Sequence, residues 1–310
     1  MRDGTFYTVR DLPYIQLFSI AILKPDPNDA NKKISVPVVM SLMKKRTTSS
    51  YTELFKIVKS AFYEKFGREL KISRVVGDYE CASRAAFIKE FVSSITNCLF
   101  HTKQNWRRKI RENCGIDHYI NDELNYIFKV MSGLVFIDPN FASIAVEKLK
   151  IKIKSFEKKV QPGLRKFLKY FENNYINRET YSGWSLFDSI DQESFILTNN
   201  MLEGIHAQFK KLSGTGRNSI KRVSHLLHDF KIGNIAAICS EDYNRTRKDV
   251  LQRHNLLRQR FEEIQLFASN EEWYSENIIE IALSLYSPQE NILNFPDYLP
   301  SSEHLTYTCL

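Results

Sequence analysis

Cysteine is scarce in this chain, with five in 310 residues: Cys81, Cys98, Cys114, Cys239 and Cys309. An odd number spread this thinly does not build a disulfide framework and favours a reducing compartment. Long apolar runs are also missing, since a stretch such as residues 14–23 falls well below the roughly 20 residues of a membrane helix. The opening Met-Arg-Asp-Gly-Thr lacks the pattern of a secretory signal. We therefore expect no membrane span, no secretion and a cytoplasmic or nuclear location.

The composition is that of a globular protein, with 43% hydrophobic and 26% charged residues. This balance excludes long disordered and collagen-like architectures. At roughly 150 residues per domain, the length fits two units, or one domain that carries an insertion. The formal net charge of +8 is a modest indication of a polyanionic partner, and ordinary surface lysine is the alternative.

Periodicity in the first 100 residues predicts alternating strands and helices. Three apolar, β-branched segments at residues 5–9, 14–23 and 34–43 predict an antiparallel meander, with a polar turn over 24–29. Apolar residues then recur at three- and four-residue steps over 51–66 and stop at Gly67, which predicts a helix. A strand over 72–76, a helix over 82–92 and a strand over 95–100 follow.

This order predicts an α/β fold with a ribonuclease H-like mixed-sheet core, three antiparallel strands followed by two parallel ones. Residues 106–171 are almost wholly helical in pattern, which indicates an all-α insertion, and a helix over 199–212 returns to the core. A helical C-terminal region and a loosely held tail complete the chain. The predicted domains are the core at 1–112 and 196–222, the insertion at 113–195, the helical region at 223–286 and the tail at 287–310.

Three acidic residues are candidates for a catalytic site: Asp3, Asp78 and Glu203. In the predicted topology the first and fourth strands are neighbours, and the returning helix can cross the sheet beside them. Clustered carboxylates repel one another unless protons or divalent cations neutralise them. Oxygen ligands beside phosphates select Mg²⁺ or Mn²⁺, and two such ions support phosphodiester cleavage and strand transfer. Because Asp and Glu are frequent, the alternative is an ordinary solvated surface role.

Several short motifs occur in one order along residues 3 to 212. They are Asp3-Gly4-Thr5-Phe6, Gly77-Asp78-Tyr79-Glu80, Cys98-Leu99-Phe100-His101, Phe171-Glu172-Asn173-Asn174-Tyr175 with Trp184, and Asn199-Asn200-Met201-Leu202-Glu203-Gly204-Ile205-His206. Together they resemble the Mutator-like (MULE) transposases. The resemblance implies a DDE-type core in which Asp3, Asp78 and Glu203 hold two Mg²⁺ or Mn²⁺ ions. It also implies DNA as partner, at terminal inverted repeats and a target, and a nuclear location.

Two departures from the family pattern keep a second function open. The family has apolar strand residues before the first aspartate, whereas Asp3 lies two residues from Met1, and a zinc-binding DNA-recognition module usual upstream is absent. A metal ligand at a fraying end is poorly held. The alternative to the transposase is thus a decayed or domesticated derivative that binds DNA or protein in transcriptional control. A homo-oligomer is compatible with either.

A Cys-x-x-His pair raises the question of zinc. Cys98 and His101 lie where a strand ends and a basic helix begins, and Cys114 with His118 follow at a spacing that would complete a Cys2His2 set. The alternatives are a zinc-stiffened interaction module, or a buried cysteine with a histidine bonded to the backbone or close to the scissile phosphate. His206 would share the helix face of Glu203 and contact substrate phosphate or pack.

Basic residues supply candidate DNA contacts in two places. One group surrounds Trp106 on a predicted helix, and the other follows Glu203. A cationic face beside an aromatic ring suits phosphate contact, while a solvated helix face is the alternative. The predicted DNA-binding residues are Lys103, Arg107, Arg108, Lys109, Arg111, His206, Lys210, Lys211 and Arg217.

Overall fold

The computed structural model describes residues 1–6, 9, 12–26, 29–72, 74–91, 94–177, 183–190, 200–213, 219–239 and 248–289. The chain divides into two compact units. Unit 1 contains Met1–Thr102 and Ile196–Lys248, and unit 2 contains Lys103–Phe195 and Asp249–Leu310. The chain therefore passes from unit 1 to unit 2, returns, and enters unit 2 again. The predicted four-part domain organisation stays a prediction.

Unit 1 is built on a five-stranded mixed sheet of spatial order β3-β2-β1-β4-β5. The first three strands pair antiparallel, and β4 pairs parallel with both β1 and β5. The α/β class and the mixture of antiparallel and parallel pairs are confirmed. The strands are β1 (Arg2–Thr5), β2 (Gln16–Asp26), β3 (Asp29–Met43), β4 (Arg74–Gly77) and β5 (Ser94–Asn97).

Two predicted strands were wrong at their ends. The first was placed over residues 5–9, but β1 ends at Thr5 and Val9 lies in a turn, where its N–H donates to the Phe6 carbonyl. Val9 is buried in this turn. Composition alone does not distinguish a buried apolar residue in a turn from one in a strand. The second was extended to Phe100, but the chain turns helical at Leu99. Short apolar runs do not distinguish the two structures.

Helices cover both faces of the sheet. Alternation along each strand sends neighbouring residues to opposite sides: Phe18 and Val75 pack with one cluster, and Leu17 and Val76 with the other. The first cluster is closed by α1 (Thr48–Phe66) and α2 (Cys81–Phe91), and the second by α7 (Asn200–Ser213) and α8 (Ile220–Cys239). Each face of the sheet therefore has its own apolar core.

Local signals explain the bounds of α1. The Thr47 side chain accepts a hydrogen bond from the Ser50 N–H at the start of the helix, and Gly67 ends it with a left-handed backbone, φ 64°. Glycine adopts this conformation without the Cβ penalty of other residues. The predicted helix over 51–66 with its stop at Gly67 is confirmed.

Unit 2 is helical throughout its described part. Helix α3 (Leu99–Cys114) begins in unit 1 and continues into unit 2. The buried centre of unit 2 contains four aromatic side chains: Trp106, Phe171, Tyr175 and Trp184. The other elements are α4 (Asp122–Leu134), α5 (Ala142–Ile153), α6 (Gln161–Phe171), a π-helix (Glu172–Ile176), α9 (Lys248–Gln265), α10 (Glu271–Glu276) and α11 (Ile278–Tyr286). Within the described ranges, no helix is both long and apolar enough to span a membrane.

Candidate active site

Asp3 lies on the central strand of the sheet. Hydrogen-bonded partners flank β1 on both sides, and the Met1 nitrogen and carbonyl oxygen are both bonded to Ala21 at 2.7 and 2.9 Å. Asp3 itself is only 8% exposed. Strand pairing thus holds this carboxylate, and the fraying expected from its position in the sequence is not what the structure has.

The carboxyl group of Asp3 is electrostatically strained. Burial first, and then the negative charges of Asp78 and Glu203, raise its pKa to about 7, although the Gly4 N–H and the Arg2 guanidinium act in the opposite direction. The Gly4 N–H donates to Asp3 Oδ1 at 2.8 Å. Two carboxylates from segments far apart in the sequence, Asp78 and Glu203, therefore act on Asp3.

Asp78 stands one residue beyond β4, beside Asp3. The parallel register pairs Arg2 with Gly77, so the next step along both strands brings Asp3 and Asp78 to the same level. Asp78 Oδ1 lies 3.6 Å from the Arg2 guanidinium. This arginine is 1% exposed, and it donates to the Ser83 hydroxyl at 2.7 Å. Asp78 thus has a buried cation as its nearest counter-charge.

A polar network supports the loop that carries Asp78. Glu80 accepts a hydrogen bond from the Tyr51 hydroxyl at 2.7 Å and from Arg46 Nε at 2.7 Å. Gln16 donates to the Tyr51 hydroxyl in turn, and the Glu80 N–H points to Asp78 Oδ1 at 3.4 Å. Burial, together with the hydrogen bond to Glu80 and its negative charge, raises the pKa of Tyr51 well above its ordinary value, so this hydroxyl stays a donor. The network fixes the backbone that follows Asp78.

Helix α7 supplies Glu203 and His206, which share a face because they are three residues apart. Glu203 Oε1 lies 3.4 Å from Nε2 of His101 at the start of α3. His101 Nδ1 is buried without a hydrogen-bond partner among the described residues. The Glu203 side chain is 36% exposed. The helix therefore presents one accessible carboxylate with a histidine beside it.

His206 is a neutral group within the same site. Its Nε2 lies 3.0 Å from the Ser19 hydroxyl, and its Nδ1 lies 3.9 Å from Asp3 Oδ2. Burial lowers the pKa of His206 to about 4. At neutral pH it is uncharged, so its contact with Asp3 is not an ion pair. It is therefore placed to hold Asp3 and the sheet together instead of binding phosphate through a positive charge.

The donor chemistry of the site fits a hard divalent cation, because carboxylate oxygens are the ligands that Mg²⁺ and Mn²⁺ prefer. A bound divalent cation would offset the repulsion between Asp3 and the other two carboxylates. The side chains are not drawn around a common point: within the described ranges, no three or more histidine, cysteine or acidic side chains form a group that could hold a metal ion.

The two halves of the predicted zinc set, Cys98 with His101 and Cys114 with His118, lie in different surroundings. Cys98 is fully buried in the apolar cluster under α7, and its carbonyl accepts from Thr102. Cys98 and His101 belong to unit 1, whereas Cys114 and His118 belong to unit 2. Burial raises the pKa of the Cys114 thiol to about 11, which favours the protonated thiol over the thiolate that binds zinc. Zinc stays a prediction here.

Several basic side chains of α3 form ion pairs within the protein. Trp106 is fully buried, so the aromatic ring expected beside a cationic face belongs to the core. Arg108 and Lys109 pair with Glu112, and Arg111 lies 3.9 Å from Asp117. Lys210 and Lys211 are exposed on the last turn of α7. Arg217 lies outside the described residues.

The sequence pattern does not predict two residues of the site, Arg2 and Ser19. Arg2 is a charged residue inside a strand, next to a candidate ligand, and that position was the available signal. Ser19 lies in an otherwise apolar run, and its contact with His206 joins positions 187 apart, which no local pattern reveals. Both become visible only when the sheet and α7 are assembled.

Comparison with protein-family models, with curated proteins and with solved structures gives no match.

Proposed function

We propose that this chain is the catalytic part of a MULE-type DNA transposase that acts on transposon ends in the nucleus. One observation carries the proposal: Asp3 on the central strand is buried, and the negative charges of both Asp78 and Glu203 act on it. The three come from separate segments and occupy the positions of the DDE residues in the resemblance. A solvated surface role does not account for an acidic residue that is 8% exposed beside two others.

The sheet supports a ribonuclease H-like core. Its order is β3-β2-β1-β4-β5, with antiparallel pairs among the first three strands and parallel pairs beyond them. Helices pack on both faces, and α7 returns to the sheet after the excursion of the chain into unit 2. The same pairing was expected from the order of predicted strands and helices. It brings the ends of β1 and β4 together, where a ligand site is expected.

The residues divide the chemistry among them. Asp3, Asp78 and Glu203 would hold the divalent cations, which when bound supply activation of the attacking oxygen and stabilisation of the leaving oxygen of a phosphodiester. Asp3 accepts this role only when ionised, which its pKa of about 7 makes pH-dependent. His206, uncharged at neutral pH, leaves the negative charge of Asp3 intact. His101 Nε2, at 3.4 Å from Glu203 Oε1, can hold this carboxylate in one orientation.

One observation favours the second candidate, a derivative that binds DNA or protein without cleaving DNA. The Arg2 guanidinium lies 3.6 Å from Asp78, and it offers this carboxylate a cation that belongs to the protein. An internal counter-charge reduces the gain from a divalent ion at the same oxygen. The two candidates therefore differ in whether metal binds and DNA is cut.

Nicking of supercoiled plasmid DNA in Mg²⁺ or Mn²⁺ separates them. For an active enzyme, we expect Asp78→Asn and Glu203→Gln each to reduce the rate at least about a hundredfold, because they remove a ligand charge from the transition state. Glu53→Gln is the matched control, since Glu53 is exposed on α1 of the same unit. It makes the same chemical change and should leave the rate unaltered.

Nicking that persists in Asp78→Asn and Glu203→Gln would rule out the proposed catalysis. No nicking in any form, combined with DNA binding, supports the non-catalytic derivative instead.

A further inference from the structure

The basic side chains of α3 fall into two groups. Arg108, Lys109 and Arg111 lie within 4 Å of carboxylates of Glu112 or Asp117. Lys103 and Arg107, one turn apart, have no carboxylate at ion-pair distance anywhere in the described part of the chain. Charges on one helix thus differ in whether the protein neutralises them.

Arg253 on α9 adds a third cation beside Lys103 and Arg107. Arg253 Nη2 donates to the Tyr286 carbonyl oxygen at 3.4 Å, and Lys103 Nζ lies 5.1 Å from the centroid of the Tyr286 ring. The Arg107 guanidinium carbon lies 5.1 Å from the centroid of the Phe128 ring. Two aromatic side chains and one carbonyl therefore position the three cations, all within unit 2. We call Lys103, Arg107 and Arg253 the cationic cluster.

The cluster carries uncompensated repulsion. Burial first, and then the positive charges of Arg253 and Arg107, lower the pKa of Lys103 to about 7. The pKa of His118 is also lowered, first by burial and then by the positive charge of Arg107. Folding places these groups together against their electrostatic preference. An anion bound among them would offset that repulsion.

We propose that Lys103, Arg107 and Arg253 bind the phosphate backbone of DNA. The forked donors of the two arginines match the oxygens of a phosphate, and the lysine adds a point charge. Arg107 and Arg253 are exposed while Lys103 is half-buried between them and Tyr286, so a backbone can reach all three. The anion site stands on this geometry alone. The choice of DNA as the source of phosphate rests on the proposed function.

Salt dependence of DNA binding tests the cluster. The triple variant Lys103→Gln, Arg107→Gln, Arg253→Gln is compared with Arg108→Gln, Lys109→Gln, Arg111→Gln by fluorescence anisotropy on a labelled 30-base-pair duplex, over a range of KCl concentrations. Both variants lose three positive charges, two or three of them from one helix. Each phosphate contact contributes about 0.9 to the slope of log K against log salt. We expect the cluster variant to lose about 2 to 3 from the slope and at least tenfold in affinity, and the control far less.

Additional measurements keep the result interpretable. Thermal unfolding identifies a variant that fails to fold, and in that case Arg253→Gln alone, at an exposed position, replaces the triple change with an expected slope loss of about 1. Equal slopes in cluster variant and wild type would overturn the proposal. So would equal losses in cluster variant and control, because net charge would then explain them.

The source of the phosphate is tested in the same assay. Unlabelled duplex should displace the probe from the wild-type protein far better than polyglutamate or inorganic phosphate at equal charge concentration. Displacement by polyglutamate at the same level would overturn the assignment to DNA and indicate an acidic protein. In buffer with EDTA the proposed metal site is empty, and the wild-type protein should still bind DNA with the full slope through the cluster. Failure of catalysis and failure of the cluster are therefore distinguishable.

Discussion

At Asp3, burial and two neighbouring carboxylates act in the same direction. The pKa rises from an ordinary value of 3.8 to about 7. The folded state therefore holds a proton that the unfolded state releases, and stability falls as pH rises from about 4 to 7. A residue kept under this strain is typical of sites where function, not stability, selects the side chain.

Replacing Asp3 by Asn should accordingly stabilise the protein at high pH. The amide keeps an oxygen for the Gly4 N–H and carries no charge. We expect the stability gain over wild type to grow by on the order of 3 kcal/mol between pH 4.5 and pH 8. Urea denaturation at both pH values measures it. A gain that is equal at the two pH values would contradict the raised pKa.

His206 gives the opposite pH dependence. Its pKa of about 4 lies below the ordinary 6.5, so the folded state binds fewer protons than the unfolded state between these values, and stability is lost as pH falls through them. In an Asp3→Asn background, where the opposing titration is removed, we expect a loss of about 2 kcal/mol from pH 7 to pH 5. Adding His206→Gln should abolish most of that loss. An unchanged pH dependence would show that His206 is not the group responsible.

Among the elements, α1 and α7 show how differently two glycines behave. Gly67 ends α1 with a positive φ of 64°, whereas Gly204 lies inside α7 with nothing within 4 Å of where a Cβ would stand. We expect Gly67→Ala to cost about 1 kcal/mol and Gly204→Ala to gain up to about 1 kcal/mol. Chemical denaturation of the two variants checks the contrast. The same sign for both would contradict these backbone assignments.

Element prediction succeeded where the signal was local. The period of α1 and its stop at Gly67 are contained in some twenty consecutive residues, and the i to i+4 pairing of Arg108 with Glu112 can be recognised in the same way. Prediction failed where distant elements bury a residue. Val9 has the apolar character of a strand residue, but it is a turn residue that other elements cover.

At the scale of the whole molecule, the topology made the convergence of Asp3 and Asp78 predictable. Once β1 and β4 are parallel neighbours, their ends must meet. The Arg2 guanidinium, the Ser19 contact and the burial of Trp106 were not predictable, because each depends on side chains brought together over long sequence separations. Arg253 joined the cationic cluster for the same reason.

The central claim is that Asp3, Asp78 and Glu203 together bind divalent cations. Crystals soaked in MnCl₂ test it directly through the anomalous scattering of manganese. We expect strong anomalous density in contact with carboxylate oxygens of all three residues, with the side chains drawn inward from their present positions. Density confined to other surface carboxylates, or none at these three under saturating manganese, would contradict the account.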